Sequence, residues 1–362
     1  MENLLSSAPS LATLPDRFVF PPDQRLPAST CTVSLPVIDL SRGRDEVRRA
    51  VLDAGKELGF FQVVNHGVSA EAMRAMEAVS EEFFRLPAAE KAPFYSEDTG
   101  KPNRLFSSTT YEIGGERYWR DCLRLACGSP VGDTKNDWPD KPQKLREVVE
   151  KFVEPTRGVG MELLRLLCEG MGLRPDYFEG DLTGGDVIIN VNHYPPCPDP
   201  GLTLGLPPHC DRNLITLLLQ GAVQGLQVSY KGDWINVEPV ANAFVINFGH
   251  QLEAVVHSSL PRLPQIAQFS WLIDVFFLAS MQIATNGLLK SIEHRAMTNA
   301  AVARTSVATF IMPAADSLIG PAKELVGEGN PPRYRSVTFD EFMRVYRTVG
   351  ARRESVEKAF KL

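Results

Sequence analysis

The chain has 362 residues, 44% hydrophobic and 23% charged, with a formal net charge of -6. This is the balance of a folded globular protein with a sizeable core, and an acidic chain without a long Lys/Arg run is excluded as a binder of phosphate backbones, so nucleic acid is not an expected partner. Six scattered cysteines without CxxC pairing, and a start without a basic segment and apolar run, point to a reducing, cytoplasmic setting; the most apolar stretch, residues 271–281, contains Asp274 and falls short of the roughly 20 residues that cross a bilayer.

Residues 1–34 are rich in Pro, Ser and Ala without a sustained period and read as an arm before the first strand. Residues 37–40 form a short strand. Val47, Ala50, Val51, Ala54 and Leu58 then recur at helical spacing, with Gly59 ending the helix at C′. Residues 60–64 are a β-rich apolar run closed by Asn65, His66 and Gly67, and residues 70–86 are helical until Pro87. A long core helix over 145–171, kinked at Pro155 and ended by Gly170 and Gly172, completes a mixed α/β region spanning 35–180.

From Asp186 the texture changes to short strand-like runs at 187–191, 214–219, 226–229, 234–237, 243–248, 288–294 and 305–312. Such strands, separated by Gly, Pro and Asn turns, predict a β-sandwich or jelly roll over 181–320, followed by a C-terminal tail and helix over 321–362. The expected fold class is α+β with a mainly β core.

His209 and Asp211 flank Cys210 in HCD, just before the apolar run LITLLL, and a period-2 strand would turn both toward one face. A third candidate, His294, lies in SIEHR. Two imidazoles and one carboxylate with open positions form the facial triad of non-haem iron(II) oxygenases; a zinc hydrolase could use the same groups around a metal-bound water. HxD alone is a common string, and a single histidine is more often a hydrogen-bonded structural residue than a ligand.

Arg304 and Ser306, in RTS ten and twelve positions beyond His294, change that balance because strand alternation gives them a shared face. Arginine suits bidentate capture of a carboxylate, and an inward arginine without a partner is costly, so a bound dicarboxylate explains it. A zinc hydrolase gives these two no purpose. The plainer reading is a surface arginine on an edge strand. Asn192 and Tyr194, in NHYPPCP, share a face by the same alternation and are candidates to hydrogen-bond the acid; alternatively they mark an ordinary strand end before a Pro-rich turn.

HCD, SIEHR and RTS, preceded by LPVIDLS, GFFQVVNHG and NHYPPCP, resemble the plant 2-oxoglutarate and iron(II)-dependent dioxygenases over roughly residues 35–345. The resemblance implies a distorted double-stranded β-helix with a helical N-terminal region packed around it. It implies iron(II) bound by His209, Asp211 and His294, and 2-oxoglutarate held through its distal carboxylate by Arg304 and Ser306, with Tyr194 assisting and Asn192 nearby. No separate catalytic acid or base is implied. Dioxygen and a small-molecule substrate complete the reaction, succinate and carbon dioxide leave, and ascorbate is the expected activator of a monomeric enzyme.

SRGRDEVRRAVLDAGKELGFFQVVNHGVS, GGERYWRDCLRLAC, GLPPHCDRNLITLLL, SYKGDWI and NGLLKSIEHRAMTN are similar to grass members of the family that hydroxylate mugineic-acid phytosiderophores. Alkaloid hydroxylases are similar at greater distance and supply the alternative substrate class. Mugineic acids are polycarboxylates, which makes Arg117, Arg120, Arg124 and Arg212 candidate carboxylate partners, against the plainer reading of solvated surface charges.

Asp211 and His294 lie 83 positions apart, more than the family spacing, and residues 254–282 look foreign. Without them Glu253 joins Ile283 and the chain reads NFGHQLEIATNGLLKSIEHR. These 29 residues resemble translated intron, with FSWLIDVFFLASMQ as the product of a pyrimidine-rich tract. The other reading is a loop insertion, which loop-closure entropy tolerates although its Trp and Phe are an aggregation liability. His250 and His257 read as bystanders. An insertion here also admits a dioxygenase-fold protein that binds ligand without turnover.

Overall fold

The computed structural model describes residues 4–7, 12–21, 34–108, 117–128, 130–249, 283–286, 288–349 and 359–362. The segment 254–282, with His250 and His257, lies outside them.

The first half supplies β1 (Val37–Asp39), α1 (Arg44–Glu57), β2 (Phe60–Val64), α2 (Ala70–Arg85), the short α3 (Ala88–Lys91), β3 (Arg104–Ser107), β4 (Asp121–Cys127) and α4 (Leu145–Met171). α1 stops where Gly59 takes a φ of +64°, and a Cβ there would lie 2.1 Å from the Lys290 carbonyl, so glycine is required both by conformation and by space. α2 starts at Ser69, whose side chain accepts from the Ala72 N–H, and buries Met73, Met76, Val79, Phe83 and Phe84 at helical spacing. α4 has the bounds expected of it, carries Pro155 inside, and ends at Gly172 with φ +75°. Gly160 lets α4 lie against the sheet: a Cβ there would sit 2.5 Å from Ile311 Cδ1.

The second half supplies β5 (Val187–Tyr194), β6 (Leu206–His209), β7 (Ile215–Leu219), β8 (Leu226–Tyr230), β9 (Asp233–Asn236), β10 (Phe244–Phe248), β11 (His294–Ala296), β12 (Arg304–Ile311), β13 (Leu318–Ile319), β14 (Val337–Thr338) and α5 (Phe339–Val349). An eight-stranded sheet runs in the order β1-β2-β10-β7-β12-β5-β4-β3, and a four-stranded sheet in the order β6-β11-β8-β9. Strands of the N-terminal half therefore extend both edges of the large sheet.

Alternation divides the large sheet into two faces. Val187, Ile189, Val191, Leu217, Val307 and Ile311 point outward into the main core with α2 and α4. Their neighbours Asn190, Asn192, Tyr194, Leu218, Arg304 and Ser306 point inward and line a cavity, which the small sheet closes with Leu206, His209, Leu226 and His294. This is the jelly roll expected from the strand pattern and the double-stranded β-helix that the resemblance implies.

Two expectations are corrected. Residues 288–293 are not strand: the Leu288 N–H turns back to Thr285 and the Lys290 N–H to Gly55, so β11 begins only at His294. His209 and Asp211 do not share a strand, because β6 ends at His209 and Asp211 lies in the connection that carries the chain to the other sheet.

Candidate active site

His209 and His294 are brought together by register, since they pair directly across β6 and β11 and their ring centroids are 4.2 Å apart. Asp211 Oδ1 lies 3.7 Å from the Nε2 of each histidine. One ligand atom from each of the three residues falls within 4.8 Å of the others. His209 Nδ1 meets the Pro207 carbonyl at 2.8 Å and His294 Nδ1 the Ile292 carbonyl at 3.4 Å. Carbonyls only accept, so each Nδ1 carries the proton and each Nε2 turns a lone pair toward the common point.

The carboxylate is oriented as well. Thr216 Oγ1 donates to Asp211 Oδ2 at 2.6 Å and Asn247 Nδ2 donates to the same oxygen at 2.7 Å, leaving Oδ1 for the centre. Burial opposes ionisation of Asp211, but the two histidines and these two hydrogen bonds outweigh it and hold the carboxyl below its ordinary range. Burial, reinforced by neighbouring His294, lowers His209 to about 3, so its imidazole is neutral at physiological pH. Two imidazoles and one carboxylate on one side of an open cavity are a donor set that fits iron(II).

The acid-binding candidates lie on the facing wall. Arg304 and Ser306 of β12 stand directly opposite Tyr194 and Asn192 of β5, and all four side chains line the cavity. Arg304 is 3% exposed, donates its Nε to the Val223 carbonyl at 3.0 Å and stacks 5.2 Å from the Tyr194 ring centroid. No carboxylate among the described residues pairs with it, and burial depresses its pKa. Two glycines make room for this pair: a Cβ on Gly225 would lie 2.8 Å from Arg304 Cδ, and one on Gly205 would lie 2.5 Å from Tyr194 Cδ1. A guanidinium so placed is chemically suited to a carboxylate.

Of the four arginines singled out for a substrate, Arg120, Arg124 and Arg212 line the cavity, whereas Arg117 does not and lies 4.0 Å from Glu97. Arg120 is buried rather than solvated: it donates to the Ser108 carbonyl from Nε at 3.2 Å and from Nη2 at 2.8 Å, and to Asn192 Oδ1 from Nη1 at 3.0 Å. Arg104, Phe106, Thr216 and Asn247 are not singled out by the sequence, yet line the same space. Thr216 and Asn247 leave a signal, each being the lone polar residue inside an apolar strand, ITLLL and FVINF. Alternation in RLFS would have paired Arg104 with Phe106.

Residues 185–313 match the 2OG-Fe(II) oxygenase superfamily model, and residues 35–142 match the model of the non-haem dioxygenase in morphine synthesis N-terminal region. The chain is 62% identical over 349 residues to 2'-deoxymugineic-acid 2'-dioxygenase of Hordeum vulgare, covering 96% of this chain and 94% of that one. It is 54% identical over 338 residues to mugineic-acid 3-dioxygenase of the same species, covering 93% and 91%. A crystal structure of JOX2 in complex with 2OG, Fe and JA superimposes with a TM-score of 0.81 at 32% identity, covering 99% of this chain and 96% of that one. The metal-compatible donor set, the buried arginine on the facing strand and these likenesses agree: the chain belongs to the 2-oxoglutarate- and iron(II)-dependent oxygenase superfamily, whose members join an iron(II) centre to 2-oxoglutarate.

Proposed function

We propose that this enzyme hydroxylates 2'-deoxymugineic acid or a close mugineic-type polycarboxylate, using iron(II) at His209, Asp211 and His294 and 2-oxoglutarate anchored on Arg304 and Ser306. The observation that carries the site assignment is the pairing of three convergent donors with a buried, carboxylate-free arginine across one cavity. The substrate is suggested by the 62% identical barley enzyme and by the arginines of the cavity wall.

Bound together, iron(II) and 2-oxoglutarate supply oxidative chemistry in which dioxygen and the oxoacid give succinate and carbon dioxide while a substrate C–H becomes C–OH. Each protein group then has a limited task. His209 and His294 would each offer Nε2 to the iron, and Asp211 would offer Oδ1 because Thr216 and Asn247 hold the other oxygen. Arg304 forks onto the distal carboxylate of the oxoacid, with Ser306 beside it and Tyr194 stacked behind; Arg120 fixes the Asn192 amide next to them. Leu206, Leu226 and Phe60 keep bulk water from the reacting carbon. An arginine-rich cavity disfavours a cationic alkaloid without carboxylates.

The division into an arm at 1–34, a mixed region at 35–180, an oxygenase core at 181–320 and a tail at 321–362 belongs to this reading, supported by the separate matches over 35–142 and 185–313. So does a cytoplasmic monomer. No helix among the described residues is long and apolar enough to cross a membrane, and Cys122, Cys127, Cys168 and Cys197 are buried free thiols, as a reducing compartment would keep them.

The test is succinate release from 2-oxoglutarate with iron(II), ascorbate and 2'-deoxymugineic acid, with the hydroxylated product identified by mass spectrometry. Turnover dependent on all of the components supports the reading. Turnover only with an unrelated substrate would overturn the substrate assignment.

A further inference from the structure

The cavity lining contains Arg104, Arg120, Arg124, Arg212, Arg295 and Arg304, but among the described residues only one carboxylate, Asp211. One arginine serves the oxoacid in the reading above, and the remaining charge is concentrated around β3 and β4. Arg104 and Arg124 are direct cross-strand partners and both side chains face the cavity. Like charges directly opposite one another destabilise a sheet. Arg104 and Arg120 also crowd one aromatic ring, with guanidinium carbons 4.2 Å and 5.7 Å from the Phe106 centroid.

Arg104 itself is 5% exposed and, among the described residues, joins no ion pair and hydrogen-bonds only the Ser96 carbonyl, from Nη1 at 3.4 Å. Its Nε is buried without a hydrogen-bond partner. Buried guanidinium donors are rarely left unsatisfied. The strand order β12-β5-β4-β3 puts Arg104 three strands from Arg304, roughly 14 Å at the usual strand spacing. One carboxylate cannot serve both.

We propose that Arg104, braced on Phe106 and flanked by Arg120 and Arg124, is a specificity-determining arm that binds a carboxylate of the substrate at the β3–β4 end of the cavity. It rests on the oxygenase reading of this cavity and deepens it. The enzyme selects polycarboxylate substrates by engaging an acid group remote from the 2-oxoglutarate site. The planar guanidinium of Arg104 offers that acid its donors, while Phe106 fixes its plane.

The test is calorimetric titration of tricarballylate into the full chain saturated with manganese(II) and 2-oxoglutarate without dioxygen, which occupies the other acid site and prevents turnover. Wild type binds tricarballylate but not its trimethyl ester; Arg104→Met weakens binding at least 10-fold, and Arg104→Lys recovers only part of it. The melting temperature of Arg104→Met stays at or above that of wild type, because an unpaired buried charge has been removed. Equal binding by wild type and Arg104→Met, or no binding by wild type, overturns the proposal. So does a fall in melting temperature for both Arg104→Met and Arg104→Gln, which would mark a structural arginine. Lack of turnover of 2'-deoxymugineic acid, with tricarballylate binding intact, would remove the substrate assignment and leave the arm standing.

Discussion

The phenolic oxygen of Tyr346 donates to the carbonyl of Cys210 over 3.2 Å, tying the C-terminal helix to the residue between His209 and Asp211. That carbonyl belongs to the connection between the two sheets, where no strand ladder fixes the backbone. Tyr346→Phe removes one buried hydrogen bond, a loss of about 1 kcal/mol. We expect manganese(II) affinity to fall about fivefold, at 1.4 kcal/mol per tenfold, with little change in far-UV circular dichroism. Unaltered affinity would mean that the connection holds its shape without the helix.

Asn247 and Thr216 together reserve one oxygen of Asp211 for the metal. Asn247→Ala frees the carboxylate to rotate. Metal affinity should drop by about 10- to 100-fold, the usual effect of losing a partner that orients a ligand. A cobalt(II) titration followed by visible absorption measures it, and a curve that superimposes on wild type would show that Thr216 suffices.

Arg304→Lys retains charge but loses the planar fork, so 2-oxoglutarate binding should weaken by at least tenfold while metal binding changes much less. Gly225→Ala should act in the same direction by displacing Arg304, whose Cδ would lie 2.8 Å from the new methyl group. Calorimetry of 2-oxoglutarate binding in the presence of manganese(II) reads both variants. Wild-type affinity in Arg304→Lys would sink the assignment of that residue.

His193 stacks on Phe84 at 4.7 Å, and burial, with Lys91 and Arg85 adding to it, lowers its pKa to about 4. The folded protein thus keeps this imidazole neutral, while the unfolded chain protonates near the ordinary value of about 6.5. Its contribution to stability is complete above that value and is lost as pH falls from about 6.5 toward 4, by at most about 1.4 kcal/mol per pH unit. Urea unfolding near pH 7 and near pH 5 should show a smaller drop for His193→Asn than for wild type. Equal drops would assign the acid sensitivity elsewhere.

Phe248 and Leu289 both press on Gly55, where an added Cβ would lie 2.8 Å and 3.0 Å from their side chains. The strand before the segment and the turn after it therefore meet at α1. Deletion of residues 254–282 leaves residues 250–253 to join Gly249 to buried Ile283, a connection that reaches roughly 17 Å when extended. We expect the shortened chain to fold with a melting temperature no lower than that of the full chain. A shortened chain that is insoluble or loses metal binding would make the segment a working part of the protein.

The bounds of α4 and β2 are legible in the sequence because each is long or apolar enough for one period to dominate. The shared faces of Arg304 with Ser306, and of Asn192 with Tyr194, follow from strand alternation alone. Asp211 is a different case, since it converges through a connection between sheets rather than along the strand that alternation assumes. β3 and β4 escape detection because RLFS and DCLRLAC place arginines inside apolar runs, which reads as irregular until the cavity they face is known. The pairing of β11 with β6 depends on contacts distant in sequence, which periodicity does not encode.

Asp121, fully buried on β4 beside Arg120, accepts the backbone N–H groups of Leu5 at 3.1 Å and Ser6 at 2.7 Å, and buried Lys91 grips the Ser6 carbonyl at 3.2 Å. The opening residues thus satisfy a carboxylate on the very strand that carries the arginine wall. Trimming them, or fusing a bulky tag close to Leu5, would remove two of that carboxylate's hydrogen bonds and leave it leaning on the Ser107 hydroxyl, and the disturbance would be felt first as altered substrate affinity, far from the iron and far along the chain from any residue that touches it.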